Sequence, residues 1–185
     1  MTVDKERMRK SLISICNKMA DASMKDAIRI MRDKGRVGSV LFGFDMMANP
    51  VLEKKFGWDS AQERSTTLWV LKMLLALKHA AFYVIINEGW ARSYEGKEAS
   101  DEAVKDHKFG AIYKDPNRIE VISVISVCPI HRTLRSTKIL RKIPNDENSK
   151  IIGFEPLETA DHDLDGDFYE LLNPELTKLL EEKLA

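Results

Sequence analysis

The ten residues RIEVISVISV, from Arg118 to Val127, constrain the fold more than any other stretch. In a strand, successive side chains point to opposite faces, which puts Ile119, Val121, Ser123, Ile125 and Val127 on one side. Glu120, Ile122, Val124 and Ser126 fall on the other. Both sides are largely apolar, so the segment predicts a strand in the middle of a sheet. FYVIINEGW, Phe82 to Trp90, has the β-branched and aromatic composition of a second strand.

The remaining elements arrange themselves around these two. Met8, Leu12, Ile15, Cys16 and Met19, then Met24, Ala27, Ile28 and Met31, recur at three- and four-residue spacing. They predict one bent helix, or two consecutive ones restarted at Asp21 or Ser23, closed by Gly35. VGSVLFGFDMM, residues 37 to 47, reads as a strand ended by Asn49 and Pro50, and residues 51 to 60 as a short helix or loop. The leucine-rich run from Ala61 to Ala80 is too apolar all round for a surface helix and predicts a central buried one. Residues 95 to 117 read as a long polar loop or lid. Two further strands, 133 to 143 and 150 to 156, are joined by the turn-forming PNDENS. The last helix is capped by Asn173 with Pro174 at its first position, and Leu176, Leu179, Leu180 and Leu184 form its stripe.

This order predicts an α+β fold: a mostly antiparallel sheet of four to five strands, with N-terminal, central and C-terminal helices packed on one face. At 185 residues the expectation is a single domain, large enough to bury about 70% of its unfolded surface. It divides into a helical part over 1–36, an α+β core over 37–156 and an acidic C-terminal segment with a helix over 157–185. With 44% hydrophobic and 31% charged residues, the composition is that of a globular protein and not of a disordered or fibrous chain.

Neither a signal peptide nor an apolar run of membrane-spanning length is visible, so a cytoplasmic protein is expected. Cys16 and Cys128 lack CxxC spacing and read as buried reduced thiols. Charge is neutral in sum but unevenly placed. From Pro144 onward there are 12 acidic and 3 basic residues, against 17 and 26 before it. Such a tail either lies on the chain's own basic body or leaves a basic surface for nucleic acid.

Four groups of residues could carry a site. Asn87, Glu88, Trp90 and Arg92 sit where an apolar strand leaves the core, and Arg118 and Glu120 open the next strand. Glu88 suits a general base or metal ligand, and Trp90 a stacking surface. His131 follows Cys128 and Pro129, a spacing from which a thiol and imidazole pair can be built, although an apolar strand favours an inert thiol. Arg132, Arg135, Lys138, Arg141 and Lys142 make a basic segment suited either to nucleic-acid phosphates or to protecting an edge strand. DHDLDGD offers Asp161, Asp163 and Asp165 in the spacing of a calcium loop, but Leu172 stands where the closing Glu belongs. No metal is therefore expected. The absence of a glycine-rich phosphate loop argues against a nucleotide cofactor, and no cofactor is expected.

The strand box Asn87, Glu88, Gly89, Trp90, followed by Pro116, Arg118 and Glu120, resembles a group of bacterial and phage-type proteins without an established activity. The resemblance spans about 40 residues and supports the two strands. The resulting expectation is a binding or interaction module of phage or mobile-element origin, with a protein partner or a second copy as its target. One alternative is a small hydrolase-like enzyme using Glu88, Arg118, Glu120 and His131. The other is a nucleic-acid binder using residues 131 to 142.

Overall fold

The structure, a computed structural model, describes residues 2–91, 115–157, 160–161, 167–175, 177–178 and 182. Its elements run α1 (Thr2–Lys34), β1 (Ser39–Phe44), β2 (Pro50–Phe56), α2 (Ala61–Leu77), β3 (Phe82–Ala91), β4 (Ile119–Cys128), β5 (His131–Arg141), β6 (Ile151–Pro156) and the two-residue β7 (Ala160–Asp161). A 3-10 turn follows at Asp167–Tyr169. The strands form one antiparallel sheet in the order β2-β1-β3-β4-β5-β6, with β7 beside β5. The α+β class and antiparallel pairing are as expected, while the sheet is wider than the four to five strands anticipated. β4 lies between β3 and β5, as its two apolar faces require. Among the described residues, no helix is long and apolar enough to cross a membrane.

The two faces of the sheet are covered by different helices. On one side Ala20, Ala27 and Met31 of α1 pack on Val84, Ile86, Ile122, Val124 and Ile139. On the other, Leu68, Leu71 and Leu75 of α2 pack on Leu41, Tyr83, Ile85, Ile125 and Val127. The expectation of helices on one face is thus corrected. Phe82 to Ile86 is continuously buried, and a strand with two apolar sides must be covered twice.

α1 is a single 33-residue helix, and neither Asp21 nor Ser23 interrupts it. Ala20 and Ala27 are completely buried on its inner stripe, where their small side chains let the helix approach the sheet closely. Gly35 ends it as the sequence predicts: its φ is 76°, and its N–H reaches the Met31 carbonyl at 2.8 Å.

Three local expectations fail. Residues 50 to 56 form the edge strand β2, whose Glu53, Lys54 and Lys55 are exposed and so carry no apolar alternation. α2 is not a central helix. Its outer face is simply apolar, with Trp69 at 63% exposure and Leu77 at 69%, beside the exposed Val70 and Met73. β5 is not an edge strand, because β6 pairs with Thr137 to Arg141 and β7 with Thr133 and Leu134.

α2 begins at Ser60, whose Oγ accepts the Glu63 N–H at 3.1 Å while Glu63 Oε2 accepts the Asp59 N–H at 2.7 Å. This reciprocal arrangement satisfies amides that the first turn leaves without helical partners. Ser60→Ala is expected to lower stability by about 1 kcal/mol, measured by denaturant unfolding.

Candidate functional site

The site residues anticipated from sequence separate into two groups at opposite ends of β4. The first group lies beyond the C-terminal end of α1. Pairing of Trp90 with Glu120 and of Glu88 with Ile122 places Glu88, Trp90 and Glu120 on the α1 side of the sheet. They line a cavity of about 310 Å3 together with Arg36, Gly38 and Glu147. Arg118 lies with its guanidinium carbon 4.1 Å from the centre of the Trp90 ring. Asn87 points to the opposite face and accepts the Ser39 hydroxyl at 2.5 Å. Arg92 lies outside the described residues.

Two carboxylates of this group are already engaged. Glu88 Oε2 accepts the N–H groups of Val37 at 2.6 Å and Gly38 at 3.1 Å, so it ties the strand box to the segment between α1 and β1. Glu120 receives Arg141 through two bonds, Nε to Oε2 at 2.5 Å and Nη2 to Oε1 at 2.6 Å. The Arg141 and Glu120 side chains are only 5% and 7% exposed, and Arg141 also donates to the Ser149 carbonyl at 2.8 Å. With both oxygens committed to a guanidinium, Glu120 is a structural anchor and a poor general base.

The basic segment does not present its cations together. Alternation along β5 puts Arg135 and Arg141 on the α1 side and Arg132 and Lys138 on the other. Arg135 Nε meets Asp21 of α1 at 2.9 Å, Lys138 meets Glu155 of β6 at 3.6 Å, and Arg141 is buried against Glu120. Lys142 follows the strand and donates its backbone N–H to the Lys150 carbonyl.

His131 belongs to the second group. It pairs across the β4–β5 turn with Cys128, eight residues along β4 from Glu120, or about 26 Å at strand rise. It therefore cannot act on the same small molecule as Glu88 and Arg118. Here a cavity of about 580 Å3 opens between the β4–β5 turn, α2 and the segment after the 3-10 turn. Lys72, Cys128, His131, Arg132, Tyr169 and Lys178 line it, over an apolar wall that includes Val127, Ile130 and Leu172. The carboxylate that joins this lining among the described residues, Glu170, is exposed. His131 is itself buried, and its Nε2 lies 3.0 Å from Asn17 Oδ1 on α1.

Cys16 of α1 reaches the same end of the sheet. Its Sγ lies 3.2 Å from Ser126 Oγ, and the neighbouring Cys128 sulfur, together with burial, pushes its thiol well above the ordinary range. Cys128 moves the other way, lowered by the neighbouring Cys16 sulfur and by the N–H groups of Ile130 and His131, with burial opposing. Behind the cavity, the Tyr83 hydroxyl donates to the Phe168 carbonyl at 2.5 Å, and burial raises it far above the usual phenol range. Burial also raises Tyr169, with Arg132 opposing.

Cys128, Pro129 and His131 give a sequence signal for this site. Lys72, Asn17 and Tyr169 give none, because only the fold brings them to the turn. Of the acidic loop, the Asp161 backbone pairs with Thr133 in β7, whereas Asp163 and Asp165 lie outside the described residues.

The fold and sites together define an α+β protein with an antiparallel sheet covered on both faces and a small-molecule-sized cavity at one end. Comparison with protein-family models, curated proteins and solved structures yields no match.

Two outcomes test this geometry. Arg141→Met leaves a buried carboxylate unpaired and is expected to cost about 3–5 kcal/mol in denaturant unfolding, most of it recovered by adding Glu120→Leu. For Tyr83, the folded chain holds the phenolic proton more tightly than the unfolded chain. Its contribution is complete below the unfolded value of about 10 and is lost as pH rises above it. Thermal midpoints should therefore fall in alkaline solution, and Tyr83→Phe should flatten that fall.

Proposed function

We propose that this chain is a binding protein for a small anionic molecule, held in the cavity at the Cys128–His131 end of the sheet. The observation that carries the reading is the convergence of Lys72, Arg132 and Lys178 on one concavity with apolar walls. A volume of about 580 Å3 suits a metabolite-sized ligand. Its cations come from α2, β5 and the C-terminal segment, so they surround the space instead of tracking a linear polymer. Carboxylate or phosphate groups would pair with these cations while the ligand's apolar part rests on Val127, Ile130 and Leu172.

A second reading, an enzyme built on Glu88, draws support from the gathering of Glu88, Trp90, Glu120 and Arg118 around the smaller cavity. The commitment of Glu120 to Arg141 weighs against it, since a carboxylate with both oxygens bound to a guanidinium is poorly placed for acid or base chemistry. Nucleic-acid binding has less support, because the cations of β5 are split between two faces and largely paired.

The test is a thermal-shift panel of small carboxylates and phosphate monoesters, each matched with a neutral analogue. An anion present at 100 times its Kd should stabilise the chain by about 2.7 kcal/mol, the neutral analogue much less. Lys72→Ala should weaken the effect. A panel in which no anion exceeds its neutral partner, or in which Lys72→Ala leaves the shift intact, rejects the proposal.

A further inference from the structure

Among the described residues, the densest group of exposed apolar side chains is on α2. Trp69, Val70, Met73 and Leu77 are 63%, 36%, 43% and 69% exposed. They recur at helical spacing on the face opposite Leu68, Leu71 and Leu75, which pack on the sheet. Towards the helix start the exposed Gln62, Ser65 and Thr66 continue the same face with neutral side chains, and Lys72 lies off it, half-buried in the lining of the larger cavity. The stripe is therefore free of charge. Four large apolar side chains within about two turns make a patch of about 400 Å2, a size that on a monomer usually marks a contact.

Charge sits at the two ends of this stripe and differs in sign. Asp59 and Glu63 are exposed at the start of α2, where Arg64 turns aside over the rings of Trp58 and Phe168. Lys78 is exposed at the C-cap. The midpoint between Glu63 and Lys78 falls between Val70 and Leu71, close to the middle of the exposed face from Gln62 to Leu77. Each charge thus stands about 11 Å from that midpoint along the axis. A second α2 turned end for end about it lays stripe on stripe, with Trp69 facing Met73 of the second copy. The same rotation brings Glu63 of each copy to Lys78 of the other, twice by symmetry. A parallel pair would instead set like charges side by side and align the helix dipoles unfavourably.

We propose that this chain associates with a second copy of itself through the outer face of α2, as an antiparallel helix pair. The matched ends fit this occupant better than a lipid surface, which favours cations along the whole rim of an apolar face, whereas one end here is acidic. Extension of the sheet is a poorer route, because the edge strand β2 beside α2 exposes Glu53, Lys54 and Lys55. A stable dimer buries about 800 Å2 from each copy, so this stripe with its polar flanks suits a weak, reversible one.

The experiment is sedimentation velocity at low salt, from low to high micromolar concentration. The expected result is a reversible passage from one-chain to two-chain mass. Trp69→Ser removes an exposed side chain, so it should hold the chain at one-chain mass with an unchanged circular dichroism spectrum. Glu63→Lys and Lys78→Glu should each weaken self-association about ten-fold, since two contacts turn repulsive. Mixing these two variants should restore association, because every like-charge contact becomes an opposite-charge one. One-chain mass at every concentration, the result if the chain's own C-terminal leucines cover the face, overturns the proposal. So does association that survives Trp69→Ser, or a mixture no tighter than its components. Glu63 also accepts the Asp59 N–H, and if Glu63→Lys fails to fold, Lys78→Glu alone must still weaken the dimer.

Discussion

β4 is apolar on both sides, and that requirement organises the rest of the chain. A strand whose Ile122 and Val124 face one way and Ile125 and Val127 the other is costly to expose on either face. It needs a paired strand at each edge and a helix over each surface. β3 and β5 supply the edges, α1 and α2 the surfaces. Because α1 ends at Lys34 and the chain then turns through Gly35 to Gly38, the sheet extends past the helix, and the smaller cavity forms at that end.

Polar groups inside this framework are satisfied by partners from distant elements. The Glu120–Arg141 pair joins the start of β4 to the end of β5 and holds the following turn through Ser149. Asp21 of α1 reaches Arg135 on β5, and Asn17, one turn earlier, reaches His131. These two side chains of α1 thus dock on β5 at positions four residues apart on each element, beside the thiol contact of Cys16 with Ser126. Buried ion pairs such as Glu120–Arg141 contribute little net stability, but removing one partner is costly because the other is left without water.

Elements with strong periodicity are legible in the sequence. The stripe of α1 and the alternation of β4 follow directly from side-chain spacing, and Gly35 and Asn173 stand at the helix ends where their residue types predict them. β2 is not legible, since an edge strand with exposed charged residues keeps no apolar alternation. The burial of α2 is overestimated from sequence because Trp69, Val70, Met73 and Leu77 are apolar on the solvent side. The cations of β5 suggest an edge or a nucleic-acid surface because their acidic partners lie elsewhere in the chain.

Local conformation and the central place of β4 can be read from the residues alone, because both depend on spacing within about ten positions. Which side chains share a site is fixed only in three dimensions. Folding separates His131 from Glu88 by the length of a strand, although both are polar residues next to apolar strands. It also brings Cys16 and Asn17 from the first helix to Cys128 and His131 at the β4–β5 turn. Register and helix placement, which fix those distances, arise from burying two apolar faces at once, and no short stretch of sequence records that outcome.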